Sequence, residues 1–211
     1  LYRKTALFFI LRGDIMLIAI THFKILISKD IIHFNTISSC IDYLLLRTPM
    51  SDNELSSFLC QLIHSGFPKE KIIIHTSTKL LESFRLTAIH FRENDPTALT
   101  YKKEHPDISV SMSAHSPESV KKAQDNHLDF VLYGHIFESC SKKSLPPRTH
   151  QEVRDALSYD IPVVALGGIN STTINQLPAG FSGISAISAL MDASPNQITR
   201  LKEEWQILNL M

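Results

Sequence analysis

Eight times along this chain a short run of Val, Ile, Leu or aromatic residues gives way to a longer, more polar interval. The runs fall at 16–21, 41–47, 71–75, 87–91, 108–113, 130–134, 163–167 and 183–188. Most are apolar on both faces, the pattern of a strand buried in a parallel sheet; a half-exposed antiparallel strand would alternate. The intervals carry helix signals. Ser51 precedes an apolar pattern at Leu55, Phe58, Leu59, Leu62 and Ile63 that Gly66 closes, and Ser116-Pro117 supplies an N-cap with Pro at the first helical position. Thr149 leads into Val153, Ala156 and Leu157, and Ser194-Pro195 opens a last helix through Ile198, Leu201, Trp205 and Leu208. Residues 24–40, rich in β-branched side chains, give the weakest helical pattern. Eight β-then-α units predict an α/β fold, a compact (β/α)8 TIM barrel forming a single domain over residues 16–211. The competitor, a doubly wound open sheet, usually has fewer strands and a glycine-rich first turn; Thr21-His22-Phe23-Lys24 has no glycine.

Residues 1–15 read as an N-terminal extension. Their apolar run, 6–11, is too short to span a membrane, and no small-residue cleavage site follows it. With 21 Lys+Arg against 21 Asp+Glu and no dense basic run, nucleic acid is not the expected partner, and neither is a membrane. Cys40, Cys60 and Cys140 are odd in number and form no C-x-x-C pair, which argues against a disulfide framework or structural zinc and for a reducing cytoplasm. Cys140, in a polar loop, reads as a nucleophile or as an ordinary surface thiol.

In a barrel of this kind the strand ends and the βα loops share one mouth, so the chemistry is sought among polar strand-end residues. These are Thr21, His22, Arg47, His75, Arg92, Ser113, His115, His135, Gly167, Gly168 and Ser188. Three clusters have a physical logic. At Gly167-Gly168, backbone N–H groups without a neighbouring Cβ can approach an anion, and a helix start expected soon after adds a favourable dipole. The run 183–189 ends in the same manner at Ile187 and Ser188, and phosphate held between the loops after strands 7 and 8 recurs in barrels. The alternative is a pair of turns that need glycine and bind nothing. In the second cluster a strand ends at Gly134 and delivers His135, whose imidazole can accept and return a proton near neutral pH; a structural histidine is the alternative. The third, Ser139-Cys140-Ser141-Lys142-Lys143, suits an anionic substrate, a mobile lid or a plain solvated loop. No H-E-x-x-H, P-loop or G-x-S-x-G pattern occurs.

From Met16 to about Leu190 the chain resembles the thiamine phosphate synthase-like barrels, most closely their thiazole tautomerase branch. The resemblance rests on the ordered set Ser113-Ala114-His115-Ser116, Asp129 through Phe137, Lys142-Lys143, Gly167-Gly168-Ile169 and Ile184 through Leu190. Synthases typically carry Pro at the place of His135, Lys two residues after the arginine ending strand 2, and Asn-Asp after strand 3, where the Asp helps hold magnesium and the substrate pyrophosphate. Here Pro49 and His75-Thr76 stand at those places, and Asp95 matches the second acid of the metal site. The resemblance therefore implies an isomerase of thiamine biosynthesis, a thiazole tautomerase, that aromatises a carboxylated dihydrothiazole phosphate by a proton shift without metal or cofactor. It implies His135 as the proton carrier, and Arg47, Ser113, Lys142, Gly167, Gly168, Ile187 and Ser188 around the substrate and its phosphate. Arg47 would meet the substrate carboxylate or pair with an acid inside the barrel. The expected partner is the small-molecule thiazole phosphate carboxylate, and a homo-oligomer stays open. The alternatives are a thiamine phosphate synthase joining thiazole phosphate to a pyrimidine pyrophosphate, and a non-catalytic binder of thiazole or thiamine phosphates.

Overall fold

The computed structural model describes residues 16–139 and 145–210; the 1–15 extension and Lys142 lie outside them. Eight parallel strands close into one barrel in strict chain order: β1 (Met16–Ile20), β2 (Tyr43–Leu46), β3 (Ile72–His75), β4 (Ala88–Phe91), β5 (Ser109–Ala114), β6 (Phe130–Gly134), β7 (Val163–Leu166) and β8 (Gly183–Ala186). β8 returns to β1 with Gly183 opposite Met16. An ideal Cβ on Gly183 would stand 2.5 Å from the Met16 carbonyl, so the seam closes on a residue without a side chain. The fold is the (β/α)8 TIM barrel that the alternation predicts.

The apolar runs split into two sets. Met16, Ile18 and Ile20 point into the barrel, where they meet Leu45, Ile73, Phe130, Leu132 and Val164. Leu17 and Ala19 point outward into a second, larger core shared with the helices. Neighbouring strand residues face opposite sides, and both sides are apolar, so the strands do not alternate in sequence.

The helices are α1 (Ser28–Ile37), α2 (Asp52–His64), α3 (Thr78–Ser83), α4 (Pro96–Glu104), α5 (Pro117–Asp125), α6 (His150–Leu157), α7 (Ser188–Met191) and α8 (Pro195–Leu210). Their entries follow the sequence signals: Ser51 and Glu54 form a capping box at α2, Thr149 and Glu152 another at α6, and the Ser116 hydroxyl accepts from Ser119 N–H at α5. At α1 the Asp30 carboxylate accepts from Ile27 N–H at 2.8 Å, and Ile31, Phe34 and Ile37 bury one face. The tertiary face thus outweighs the poor propensity of the segment.

The interval after β7 departs from expectation. It holds one 3₁₀ turn, Ile174–Gln176, in place of an α-helix. Asn170 Oδ1 accepts from Thr172 N–H at 2.8 Å and from its hydroxyl at 2.6 Å, and Thr173 Oγ1 donates to the Gly168 carbonyl at 2.8 Å. These local bonds give the backbone an alternative to the helical ladder.

Candidate active site

The carboxyl ends of the strands surround a cavity of about 1130 Å³. That exceeds the roughly 300–1,000 Å³ usual for a site holding one small ligand. Every strand contributes through its end or following loop: Ile20 from β1, Arg47 after β2, His75 of β3, Arg92 after β4, Ser113 of β5, His135 after β6, Gly167-Gly168 after β7, and Ile187-Ser188 after β8.

On the β6–β8 side the glycine loop has a strict packing reason. Gly167 and Gly168 sit at φ +99° and +68°, where L side chains are strained. A Cβ on Gly167 would collide with His135, and one on Gly168 with the Glu138 carbonyl and Phe137. The ladder between β6 and β7 continues past both strands, as Ile136 N–H donates to the Leu166 carbonyl (2.9 Å) and Phe137 N–H to the Gly167 carbonyl (3.0 Å). Ser188 is exposed at the start of the single-turn α7, while Ile187 packs against the inner core.

His135 lines the cavity but is only 3% exposed. Its Nε2 lies 3.1 Å from the Leu145 carbonyl; since a carbonyl only accepts, the contact calls for the Nε2–H tautomer. Its own carbonyl accepts from Arg148 N–H at 2.9 Å. In this arrangement His135 ties down the loop after β6.

His115, one of the strand-end residues, also lines the cavity. Its Nδ1 donates to the Gly134 carbonyl (2.9 Å). Glu93 holds it in place: one carboxylate oxygen accepts from His115 N–H at 2.7 Å and from the Ser119 hydroxyl at 2.6 Å.

The β2–β5 side holds the strongest electrostatic features. His90 is buried, with Nδ1 2.9 Å from Ser111 Oγ and Nε2 3.0 Å from Ser113 Oγ, and Ser111 Oγ donates to the Ile89 carbonyl. The assignment that satisfies every group runs Ser113 O–H to Nε2, and Nδ1–H to Ser111. Burial, then the charges of His75 and Arg47, push the His90 pKa down to about 3. For His75, burial first, then Arg92 and Arg47, lower it to about 4 against a weaker opposing pull from Asp95. Both rings are neutral at pH 7, and the positive charge belongs to the two arginines. Arg47 lies over the Phe23 ring, 4.8 Å from its centroid, and its backbone N–H and carbonyl both bond the Thr21 hydroxyl. Among the described residues neither guanidinium has a carboxylate partner, so the pairing of Arg47 with a barrel acid does not occur.

The residues present do not fit a magnesium site. Among the described residues no three His, Cys, Asp or Glu side chains gather as ligands. One Glu93 oxygen is engaged by the start of α5, Asp95 caps α4 by accepting from Thr97 N–H at 3.0 Å, and Thr76 donates to its neighbour's carbonyl. Magnesium takes hard oxygen donors, usually one or two carboxylates with substrate phosphate.

The structure therefore brings together Arg47, Ser113, His135, Gly167, Gly168, Ile187 and Ser188 of the expected residues. Sequence reasoning passed over the weight of Arg92 and His75, although both were visible as strand-end residues. His90 lies inside a strand, and its only signal is a lone polar group within the apolar run Ala88-Ile89-His90-Phe91.

Fold and site define a (β/α)8 barrel whose polar side chains collect at the carboxyl-terminal mouth, the arrangement of a barrel enzyme. The family model described as thiamine monophosphate synthase matches residues 36–190, and the chain belongs to that family. The thiamine-phosphate synthase of Lysinibacillus sphaericus is 29% identical over 139 residues, 64% of this chain and 63% of that protein. The one from Chlorobium phaeovibrioides is 34% identical over 106 residues, 48% of this chain and 51% of its own length. The chain thus spans less than two thirds of these curated relatives. Among solved structures, a thiamine phosphate pyrophosphorylase from Pyrococcus furiosus superposes with TM-score 0.70 at 20% identity, covering 95% of this chain and 98% of that one. One from Bacteroides thetaiotaomicron gives 0.62 at 25% identity, covering 92% and 95%.

These findings correct the tautomerase expectation, and the isomerase class with it: the family model and the named relatives are synthases. Two of the residues singled out in the sequence also have packing roles. His135 is buried with Nε2 turned to a carbonyl, and Gly167 is glycine because His135 presses against it. Among the described residues no helix is long and apolar enough to cross a membrane.

Proposed function

We propose that this chain is a transferase of thiamine biosynthesis that joins a thiazole phosphate to a pyrimidine pyrophosphate, releasing pyrophosphate. One observation carries the reading beyond family membership: a single cavity of about 1130 Å³ has anion-attracting groups on two separated sides. A one-substrate proton shift needs one phosphate anchor, whereas coupling needs two, with both heterocycles held between them. Gly168 and Ser188 take the thiazole phosphate through backbone N–H groups and the Ser188 hydroxyl. Ile187 gives that ring an apolar wall, and Ser113, set by the neutral His90, offers the second ring a hydrogen-bonding edge. Arg47 and Arg92 meet the diphosphate, whose charge grows as the bond to carbon breaks. Lys142, outside the described residues, is a further cation for substrate phosphate. His135 and Arg148 fix where the loop after β6 leaves the barrel.

The test is incubation of the purified chain with both substrates, reading thiamine phosphate by mass spectrometry and released pyrophosphate by an enzymatic assay. Equal amounts of the two products support the reading. Tight binding of both substrates with no coupled product overturns it in favour of a non-catalytic binder.

A further inference from the structure

Around a closed eight-stranded barrel β3 lies opposite β7, so the ends of β2, β3 and β4 face the glycine loop across the mouth. Arg47 follows β2, His75 ends β3, and Arg92 follows β4, with His75 paired in register to His90. Both arginine side chains are exposed to the cavity. Two carboxylates lie near this edge: Glu93 lines the cavity with one oxygen bonded by His115 N–H and the Ser119 hydroxyl, and Asp95 caps α4 and does not line the cavity. A divalent cation placed here would meet the repulsion of two guanidinium charges. A polyanion would meet two planar forks of donors that match phosphate oxygens, with a neutral ring between them.

We propose that Arg47 and Arg92 form a metal-free clamp for a diphosphate group, in the place where a magnesium site would otherwise neutralise it. The clamp rests on the transferase reading only for the identity of the molecule that carries the diphosphate. Because the guanidinium groups are permanently charged, anion binding here needs no cation from solution, and the clamp's own charge does not change across neutral pH.

Isothermal titration of the full chain with inorganic pyrophosphate, first in EDTA and then in excess magnesium, tests the proposal. Saturable binding in EDTA that excess magnesium does not tighten is the expected result. Arg47→Gln and Arg92→Gln should each weaken it about tenfold or more, the range for losing a charge-assisted hydrogen bond. Lys121→Gln, on the exposed face of α5, should leave it unchanged. Both arginines are exposed, and unchanged thermal melting of the variants will show that the fold is intact. Pyrophosphate binding that appears only with magnesium overturns the clamp, as do arginine variants that titrate like the parent. Magnesium-free binding without coupling leaves the clamp standing and removes the transferase reading; coupling with strictly magnesium-dependent pyrophosphate binding does the reverse.

Discussion

His75 is a proton acceptor held in a positive field. Burial and the two arginines keep it neutral down to about pH 4, while in the unfolded chain it titrates near 6.5. Between those values the unfolded state binds more protons than the folded state, so stability falls as pH drops through that window and levels off above it. His90, depressed to about 3, acts in the same direction. Melting temperature measured from pH 7.5 to 4 should therefore decline below about 6.5, and His75→Asn should flatten part of that decline. An unchanged slope in the variant would mean that other groups set it. Gly167 makes a separate prediction: Ala there needs a positive φ and collides with His135. Urea denaturation should show a loss of about 1–3 kcal/mol, the range for a residue held in a sparsely populated backbone region. A neutral substitution would mean that the β6 and β7 loops part easily.

At the scale of elements, the sequence is legible wherever a side chain states its own local geometry. Ser51, Ser116 and Thr149 announce their helices because an N-cap is a local hydrogen bond. The strands are legible because both of their faces are buried. The segment after β7 was misjudged because Asn170 and Thr173 spend their side chains on turns, a competition that hydrophobic spacing does not display. The site divides in the same way. Arg47, Ser113 and the glycines could be read from strand ends, but the role of His90 depends on Ser111 and Ser113 from the neighbouring strand, which only the register brings near. The contact of His135 Nε2 with the Leu145 carbonyl is equally invisible to spacing, and the tautomerase expectation itself is overturned by the family model and the named relatives. Helix α8 offers an element-level test. Trp205 is 1% exposed within the outer core, and Trp205→Ala should cost about 3–5 kcal/mol in equilibrium unfolding, as large aromatic truncations in cores do. A loss below about 1 kcal/mol would show that α8 packs only loosely on the barrel.

For the whole molecule, the barrel sets the distance between chemistries that the sequence keeps apart. Residues 47 and 92 come to one side of the mouth, and 168 and 188 to the side of the β7–β8 loops, because consecutive strands circle the axis in order. On the proposed reading a neutral protein presents two local regions for anions, with net charge giving no warning of either. In the transferase reading these two regions hold two different phosphate groups at once. A crystal structure with thiazole phosphate and inorganic pyrophosphate bound together tests it most directly. The expected result is one phosphate against Gly168 and Ser188 and the diphosphate between Arg47 and Arg92, with no cation bridging it to the protein. Both anions crowded onto the glycine loop, or a diphosphate reaching the protein only through a bound metal ion, would contradict it.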